Sequence, residues 1–321
     1  MKYIYLFWWR RTTYNVGDEA SPYIVSKLSY LPIKRKEIPT DPYTELLNML
    51  RSIRHFKCPS LKGFFNSIFD RENFIVGLGS VICYSNKHAV IWGSGMGSPF
   101  DKFKAKEIKA VRGKETSKEL INRGYPKCEI YGDPGLLMPL FYQPIVRKRY
   151  KIGIIPHIRE YKQVLEMIKI KDYHVINMET DKVEEVVNEI LSCEYVLSSS
   201  LHGLIFSHAY GIPALFFSFV HKGEGLFKYY DYFSSVGIDY YQPFDLVELL
   251  DFSEADLVRL FENEKLKASI QTDLIKIQRQ IIEVAPFPVK MEYSVSLIDG
   301  TIRKEIEYLV NNYGKQNNNF I

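Results

Sequence analysis

The sequence predicts an α/β fold built from two domains, each with a parallel β-sheet covered by helices. Three observations support this prediction. The chain has 321 residues, which is more than one hydrophobic core of ordinary size holds. Short apolar runs bounded by Gly, Pro or Asn alternate with amphipathic segments, as expected for strand–helix–strand units. The alternation restarts near residue 150, after a basic segment that contains Pro144.

We therefore expect an N-terminal domain at residues 1–146, the first half, and a C-terminal domain at residues 147–321, the second half, which ends in a helical extension. Strands are predicted at residues 3–8, 74–78, 89–92, 110–112 and 129–131 in the first half, and at 151–156, 174–177, 195–198 and 214–219 in the second. Helices are predicted at residues 19–28, 118–122, 164–168, 183–191, 201–211, 264–282 and 302–310. Parallel sheets of this kind bind ligands at the carboxyl ends of their strands.

The composition excludes several classes of protein. Hydrophobic residues make up 46% and charged residues 25% of the chain, which is typical of a globular protein and excludes extensive disorder. The net charge of +4 suits an anionic small substrate and is too small to indicate nucleic-acid binding. The four cysteines have no CxxC pairing, so we expect free thiols in a reducing compartment and no metal site.

The N-terminal apolar run ends in two arginines without a small-residue cleavage site, so it is interpreted as a strand and not as a signal peptide. No apolar stretch reaches the length of a membrane-spanning helix. The chain is therefore predicted to be cytoplasmic.

Residues 34–71 interrupt the alternation. This segment contains eight Lys or Arg against four Asp or Glu, interleaved with apolar residues. One interpretation is an ordinary helix pair packed on the first half. The other is a peripheral contact with the inner face of a membrane, because basic amphipathic helices bind anionic lipid surfaces.

Two segments of the second half carry candidate chemistry. The strand at residues 195–198 leads through three serines into a helix that begins near Leu201, and the free N–H groups of a helix start bind phosphate or carboxylate. His202 lies in that first turn, where it can transfer a proton. After the strand at 151–156, His157 and Arg159 combine a second acid/base candidate with a cation that binds carboxylate or phosphate.

In the first half, Asn15-Val-Gly-Asp18 forms a tight turn before a helix, and Asp18 either caps that helix or acts as a base. Two glycine-bearing strand ends follow, at residues 77–80 and 92–95. Neither is a complete G-x-G-x-x-G, so dinucleotide binding is not supported. Arg112 and Asp133 end the next two predicted strands and are expected at the same rim.

Taken in chain order, these segments resemble the polysaccharide pyruvyl transferase family over roughly residues 12–235. The matching segments are residues 15–18, 77–82, 92–95, 111–113, 132–134, 156–157 and 198–213, with 228–231 as a further element. The most specific is the Ser-Leu-His-Gly helix start at residues 200–203.

The resemblance implies two Rossmann-like domains that face each other across a cleft, similar to GT-B glycosyltransferases. It also implies transfer of pyruvate from phosphoenolpyruvate to a sugar or lipid-linked oligosaccharide of a surface polysaccharide precursor, with formation of a cyclic ketal. The first half would bind the acceptor and the second half the donor. This chemistry requires no metal and no redox cofactor.

The resemblance also assigns roles to residues. His202 would be the acid/base at the donor, and His157, Asp133 and Asp18 would activate or orient the sugar. The expected donor-binding residues are Arg159, Ser199, Ser200, Leu201, Gly203, Arg112 and Lys228. The expected acceptor-binding residues are Asn15, Gly79, Ser80 and Gly95. Some members of the family carry arginine where this chain has Ser200, so Arg159, Arg112, Lys222 or Lys228 would supply the missing charge.

Two other functions remain open at the level of sequence. One is a GT-B-type glycosyltransferase that uses a nucleotide-sugar donor, since it would share the two-domain shape. The other is a binding protein without catalytic activity.

Overall fold

The structure is a computed structural model, and it describes residues 2–10, 13–38, 71–168, 173–219 and 225–293. It contains two five-stranded sheets. Neighbouring strands in both sheets run parallel. The predicted α/β class with two Rossmann-like sheets is confirmed.

The first sheet belongs to the first half and has the order β2-β1-β3-β4-β5. Its strands are β1 (Ile4–Phe7), β2 (Ile33–Arg35), β3 (Phe74–Val76), β4 (Ala89–Trp92) and β5 (Glu107–Ala110). Its helices are α1 (Val16–Leu28) and α2 (Lys114–Asn122), and the 3-10 helices Ile82–Tyr84 and Pro134–Leu140 complete this half within the described residues.

The second sheet has the order β10-β9-β8-β6-β7. Its strands are β6 (Tyr150–Ile155), β7 (His174–Val175), β8 (Cys193–Ser198), β9 (Ala214–Ser218) and β10 (Phe244–Asp245). The helices that follow β6 are α3 (Tyr161–Ile168), α4 (Val183–Leu191), α5 (Leu201–Ala209), α6 (Phe227–Val236), α7 (Leu246–Leu250), α8 (Glu254–Asn263), α9 (Lys265–Ala268) and α10 (Leu274–Glu283).

Both sheets share one strand order, in which the first strand of each half lies between the second and the third. This is the doubly wound order 2-1-3-4-5, whose ligand site lies where the order reverses, at the carboxyl ends of the first and third strands. In this protein those ends belong to β1 and β3 in the first half, and to β6 and β8 in the second. The candidate motifs around residues 15–18, 77–80, 156–159 and 198–203 follow these four strands.

Several predicted elements differ from the structure. The strand expected at 110–112 begins earlier, as β5, and residues 129–131 contribute only an isolated bridge between Val111 and Tyr131. The edge strands β2 and β10 were not predicted, because runs of three and two residues show no recognisable alternation. The helix expected at 264–282 is divided into α9 and α10, since Asp273 caps a new helix by accepting from the Ile275 and Lys276 N–H groups.

The basic segment 34–71 and the predicted helix 302–310 lie mostly or wholly outside the described residues. Their interpretations, including the membrane contact, stay predictions. Among the helices that the structure describes, none is both long enough and apolar enough to cross a membrane.

Helix α10 returns the chain to the first half. The Trp92 indole Nε1 donates to the Ile281 carbonyl at 2.9 Å, and the Gln278 amide donates to the Leu136 carbonyl at 2.8 Å. At Gly132, a Cβ would lie 2.6 Å from side-chain atoms of Ile277 and Ile281. The last described helix therefore packs closely against the first sheet, while the division of domains near residue 146 stays a prediction.

The two halves also meet where α2 and α6 pack together. Gly113, the N-cap of α2, lies against the backbone of Asp231 in α6, and a Cβ at position 113 would overlap the Asp231 carbonyl oxygen. The neighbouring Lys114 N–H donates to the Ser234 hydroxyl at 2.8 Å. Glycine is required at position 113 because the backbones of the two halves are in direct contact there.

We expect Gly113→Ala to lower the free energy of unfolding by about 1–3 kcal/mol, the usual cost of forcing a methyl group into a packed interior. The control is Gly97→Ala, because a Cβ there would have its nearest neighbour at 3.5 Å. Urea denaturation of both variants measures the difference. A Gly113→Ala protein as stable as the wild type would contradict the contact between α2 and α6.

Candidate active site

The loop between β8 and α5 is built by its own serines. The Ser200 hydroxyl caps α5 by accepting from the Gly203 N–H. The Ser199 hydroxyl donates to Glu160 at 2.6 Å and accepts from the His157 N–H at 2.8 Å. Both hydroxyls thus have protein partners. The N–H groups of Leu201 and His202 have no acceptor within the helix, and these two groups can bind an anion.

His202 reaches from α5 across to the first half. Its ring lies against Gly17 in the first turn of α1, so closely that a Cβ at position 17 would overlap the ring. The Nε2 atom is buried and has no hydrogen-bond partner among the described residues. A buried polar atom without a partner is costly, and such atoms concentrate at functional sites.

Gly79, at the carboxyl end of β3, is the point around which the candidate residues converge. Its φ is +95°, and a Cβ there would lie 3.6 Å from His202 Cε1 and 3.9 Å from Asp18 Oδ1. The Gly79 N–H lies near enough to the Asp133 carboxyl to oppose the rise of its pKa. Because a side chain at position 79 would fill the space that these groups border, glycine keeps it open. The structure thereby brings Asp18, Asp133 and His202 together from three separate segments.

The two carboxyl groups of this cluster hold protons unusually well. Burial raises the pKa of Asp18 to about 7, although a hydrogen bond from Asn15 at 2.9 Å opposes the shift. Burial also raises the pKa of Asp133 to about 6, against the Gly135 N–H and the charge of Arg112. Asp133 Oδ2 has no hydrogen-bond partner among the described residues. Groups that titrate near neutral pH are suited to proton transfer.

Helix capping does not explain Asp18. The N-cap of α1 is Asn15, whose side chain accepts from the Gly17 N–H at 3.1 Å. Asp18 is the third residue of α1, with its carboxyl group directed to the cluster around Gly79. The capping interpretation of Asp18 is therefore wrong.

His202 is held in its neutral form. Burial, followed by the charges of Arg112 and Lys228, lowers the pKa of its imidazole to about 3. Burial and the charges of Arg112 and Arg159 also lower the pKa of Lys228 to about 8, with Glu160 opposing. These cations lie close enough to disfavour one another, so a bound anion near them would relieve their repulsion. Lys228 is half-buried and Arg159 is exposed.

Arg112 differs from the other cations because protein groups bind it on every side. It is fully buried, and its Nε donates to Asp231 Oδ2 at 2.9 Å. Its two terminal nitrogens donate to the Ser80 hydroxyl and to the Met96 carbonyl, each at 2.6 Å. Arg112 thus joins the end of the first sheet to α6. It acts on the cluster through its positive charge, which affects the pKa values of Asp133 and His202. The direct donor contact expected from the sequence stays a prediction.

Asp231, Glu160 and Thr116 are the residues whose roles the sequence did not indicate. Asp231 accepts from the Thr116 N–H and hydroxyl, both at 2.7 Å, as well as from Arg112. A charge partner 119 residues away leaves no local signal in the sequence. The sequence placed Asp231 in the further matching element at residues 228–231 without giving it a role, three residues after Lys228 and so on the same face of α6.

The remaining predicted acceptor residues lie next to Arg112 or to the cluster. Ser80 accepts from Arg112, and a Cβ at Gly95 would lie 2.5 Å from the Arg112 guanidinium carbon. His157 follows β6 beside Ser199, and its Nδ1 accepts from the Arg159 N–H at 3.3 Å. In the part of the chain that the structure describes, no group of three or more His, Cys, Asp or Glu side chains is arranged to hold a metal ion.

The polysaccharide pyruvyl transferase family model matches residues 7–219, more than half of the chain. This chain belongs to the polysaccharide pyruvyl transferase family. The protein is therefore a transferase of polysaccharide biosynthesis, and the matched residues include Asp18, Gly79, Asp133 and His202. A relative is the uncharacterized protein L143 of Acanthamoeba polyphaga mimivirus, which is 32% identical over 237 residues, covering 68% of this chain and 80% of that protein.

We expect Asp18→Asn to stabilise this pyruvyl transferase, and by more at pH 8 than at pH 4. The folded state holds the Asp18 proton up to about pH 7, whereas the unfolded chain loses it near the ordinary aspartate pKa of 3.8. Between these values the folded state binds more protons, so stability falls as pH rises and stays reduced above pH 7. Asparagine removes this penalty of a few kcal/mol.

The measurement is the unfolding midpoint of both proteins across this pH range. Asp239→Asn is the control, because Asp239 is exposed. A difference between wild type and Asp18→Asn that does not change with pH would show that Asp18 is not a buried, protonated group.

Proposed function

We propose that this transferase moves pyruvate from phosphoenolpyruvate to two hydroxyls of a sugar in a surface polysaccharide precursor, where it forms a cyclic ketal. The observation that carries the proposal is the position of His202. Its Nε2, which has no hydrogen-bond partner among the described residues, borders the same space as Asp18. The ring is close enough to Arg112 and Lys228 for their charges to lower its pKa. Proton-transfer groups thus adjoin a site that favours anions.

The reaction needs these two features together. One sugar hydroxyl adds to C2 of phosphoenolpyruvate and loses its proton, while C3 gains a proton and becomes a methyl group. The second hydroxyl then displaces phosphate from C2 and loses its proton as the ketal closes. Phosphoenolpyruvate and two hydroxyls are converted into the ketal and inorganic phosphate, so the protein must hold two anionic groups and move protons at neutral pH.

Lys228, Arg159 and the start of α5 form the proposed donor site. The lowered pKa of Lys228 reflects burial near other cations, and a phosphate dianion would raise that pKa again by stabilising the charged form. Lys228 and Arg159 would thereby replace the arginine that some members carry at the position of Ser200. The donor would lie on the second half and the acceptor on the first, with the two halves facing each other as in GT-B enzymes.

Donor binding would also set the protonation of His202. The imidazole is neutral because it is buried near Arg112 and Lys228. A bound phosphate would offset these charges, so His202 could take up a proton and deliver it to C3. Asp18, with a pKa of about 7, would accept the proton of the attacking hydroxyl, and Asp133 would supply a second carboxyl group beside it.

We expect phosphoenolpyruvate to raise the melting temperature of the protein, because a ligand that binds only the folded state stabilises it. Lys228→Ala and Arg159→Ala should each reduce the shift. Lys162→Ala should leave it unchanged, since Lys162 is an exposed cation on the helix that follows Arg159. Inorganic phosphate and UDP are the ligand controls. A shift with UDP and none with phosphoenolpyruvate would contradict the proposal and favour a nucleotide-sugar glycosyltransferase.

We expect His202→Asn and Asp18→Asn to lower the rate of pyruvyl transfer by about 10²–10⁴-fold, the usual contribution of a general acid or base. The shift in melting temperature caused by phosphoenolpyruvate should persist in both variants, since neither supplies the cations of the donor site. The assay is release of inorganic phosphate in the presence of acceptor, with His88→Asn as the control. Normal transfer by His202→Asn would reject the proton-transfer role.

A further inference from the structure

A second cavity lies at the opposite end of α5 from His202. Its volume is about 540 Å³, within the range of small-molecule sites. Three segments form its walls: residues 143–148, the end of α5 with residues 210–212, and residues 269–274. Because α5 has nine residues, the cavity and the start of the helix at His202 are separated by about 12 Å along its axis. We call this cavity the hinge pocket.

The two segments through which the chain passes between the sheets line the hinge pocket. The chain passes from the first half to the second through residues 141–149, between the 3-10 helix Pro134–Leu140 and β6. It returns through residues 269–273, which lead into α10 and its contacts with Trp92 and Leu136. A ligand in the hinge pocket would therefore contact the two segments that any relative movement of the halves must bend.

The walls of the hinge pocket are mainly apolar and carry one charged side chain. Ile145 is 84% exposed and Ile270 is half-buried, and both line the cavity with prolines and leucines. His208 also lines it, but burial lowers the pKa of its imidazole to about 4, so it is neutral. Lys148 is the charged residue among those that line the cavity.

The acidic residue nearest in effect to Lys148 is Glu194, whose charge opposes the lowering of the Lys148 pKa but whose ion pair is with Lys151. The Lys148 Nζ donates to the Cys193 carbonyl at 2.5 Å, and it forms no ion pair with any residue that the structure describes. Burial lowers the pKa of its ammonium to about 8. A half-buried cation in an apolar wall is stabilised by a matching anion, because an opposite charge offsets the cost of desolvation.

We propose that the hinge pocket binds an amphipathic anion, with an acyl chain against Ile145 and Ile270 and a carboxylate on Lys148. The occupied pocket fixes the two connecting segments and thereby changes the rate of the transfer reaction. The proposal that the pocket binds an anion is based only on the geometry and charge of the cavity. The effect on rate rests on the proposed function.

The test uses the full-length protein and decanoate, kept below its micellar concentration, in isothermal titration calorimetry. Decanol and decyltrimethylammonium have the same chain with a neutral and a cationic head. We expect decanoate to bind at least about tenfold more tightly than either, since one charge pair in a partly buried site is worth about 1.4 kcal/mol or more. Lys148→Gln should remove this preference. Arg147→Gln is the matched control, because Arg147 is an exposed cation of the same segment and is not among the residues that line the cavity.

Equal binding of decanoate and decanol, or unchanged decanoate affinity in Lys148→Gln, would overturn the proposal. A dimer in sedimentation experiments that Ile145→Glu dissociates would also overturn it, because the pocket would then be a contact between two copies of the chain. Ser269→Phe places a ring in the cavity and should abolish decanoate binding, with folding checked by its melting temperature.

The effect on rate is measured with the same ligands. Decanoate should change the rate of phosphate release at least about twofold in the wild type and leave Ser269→Phe unaffected. An unchanged wild-type rate under saturating decanoate would overturn the regulatory part. If phosphoenolpyruvate supports no transfer at all, the proposed function fails, whereas the calorimetry still decides whether the hinge pocket binds an anion.

Discussion

Arg112 and Asp231 come from different halves of the chain and pair where neither side chain is exposed to water. Burying both charges is costly, and such a pair is tolerated only when further hydrogen bonds satisfy the remaining groups. Ser80, Met96 and Thr116 supply those bonds. Removing one partner would leave a buried charge uncompensated, at a cost of about 3–5 kcal/mol. The pair therefore fixes the position of α6 against the first sheet, on which the proposed active site depends.

The same apposition of the two halves produces the unusual chemistry of the cluster around Gly79. Asp18 and Asp133 hold protons near neutral pH because they are buried, and His202 stays neutral because it is buried beside cations. None of these shifts would persist in an isolated half with these groups open to water, since desolvation is the largest cause of each. The close contact between the carboxyl ends of the two sheets thus contributes both to the stability of the fold and to the shifted pKa values.

The sequence allowed the sheets and the motifs to be predicted where the signal is local. Apolar runs such as β3 and β8 identify central strands, and glycine or serine at their ends locates the loops that carry Gly79 and His202. Prediction from the sequence failed where the structure depends on residues that are distant along the chain. The edge strands β2 and β10 exist because a neighbouring strand pairs with them. The pairing of Arg112 with Asp231 and the inward direction of Asp18 likewise depend on how the halves meet, which no local pattern reveals.

The contact between Gly113 and the Asp231 backbone has a consequence for modularity within the family. Residues 7–219 carry the family match, yet the counter-charge of Arg112 lies beyond them, in a helix of the other half. A chimera that exchanged halves between two members would have to match the glycine, the arginine and the aspartate as a set. In this chain the first and second sheets are thus not interchangeable parts, because each half supplies one side of the contact that holds the other in place.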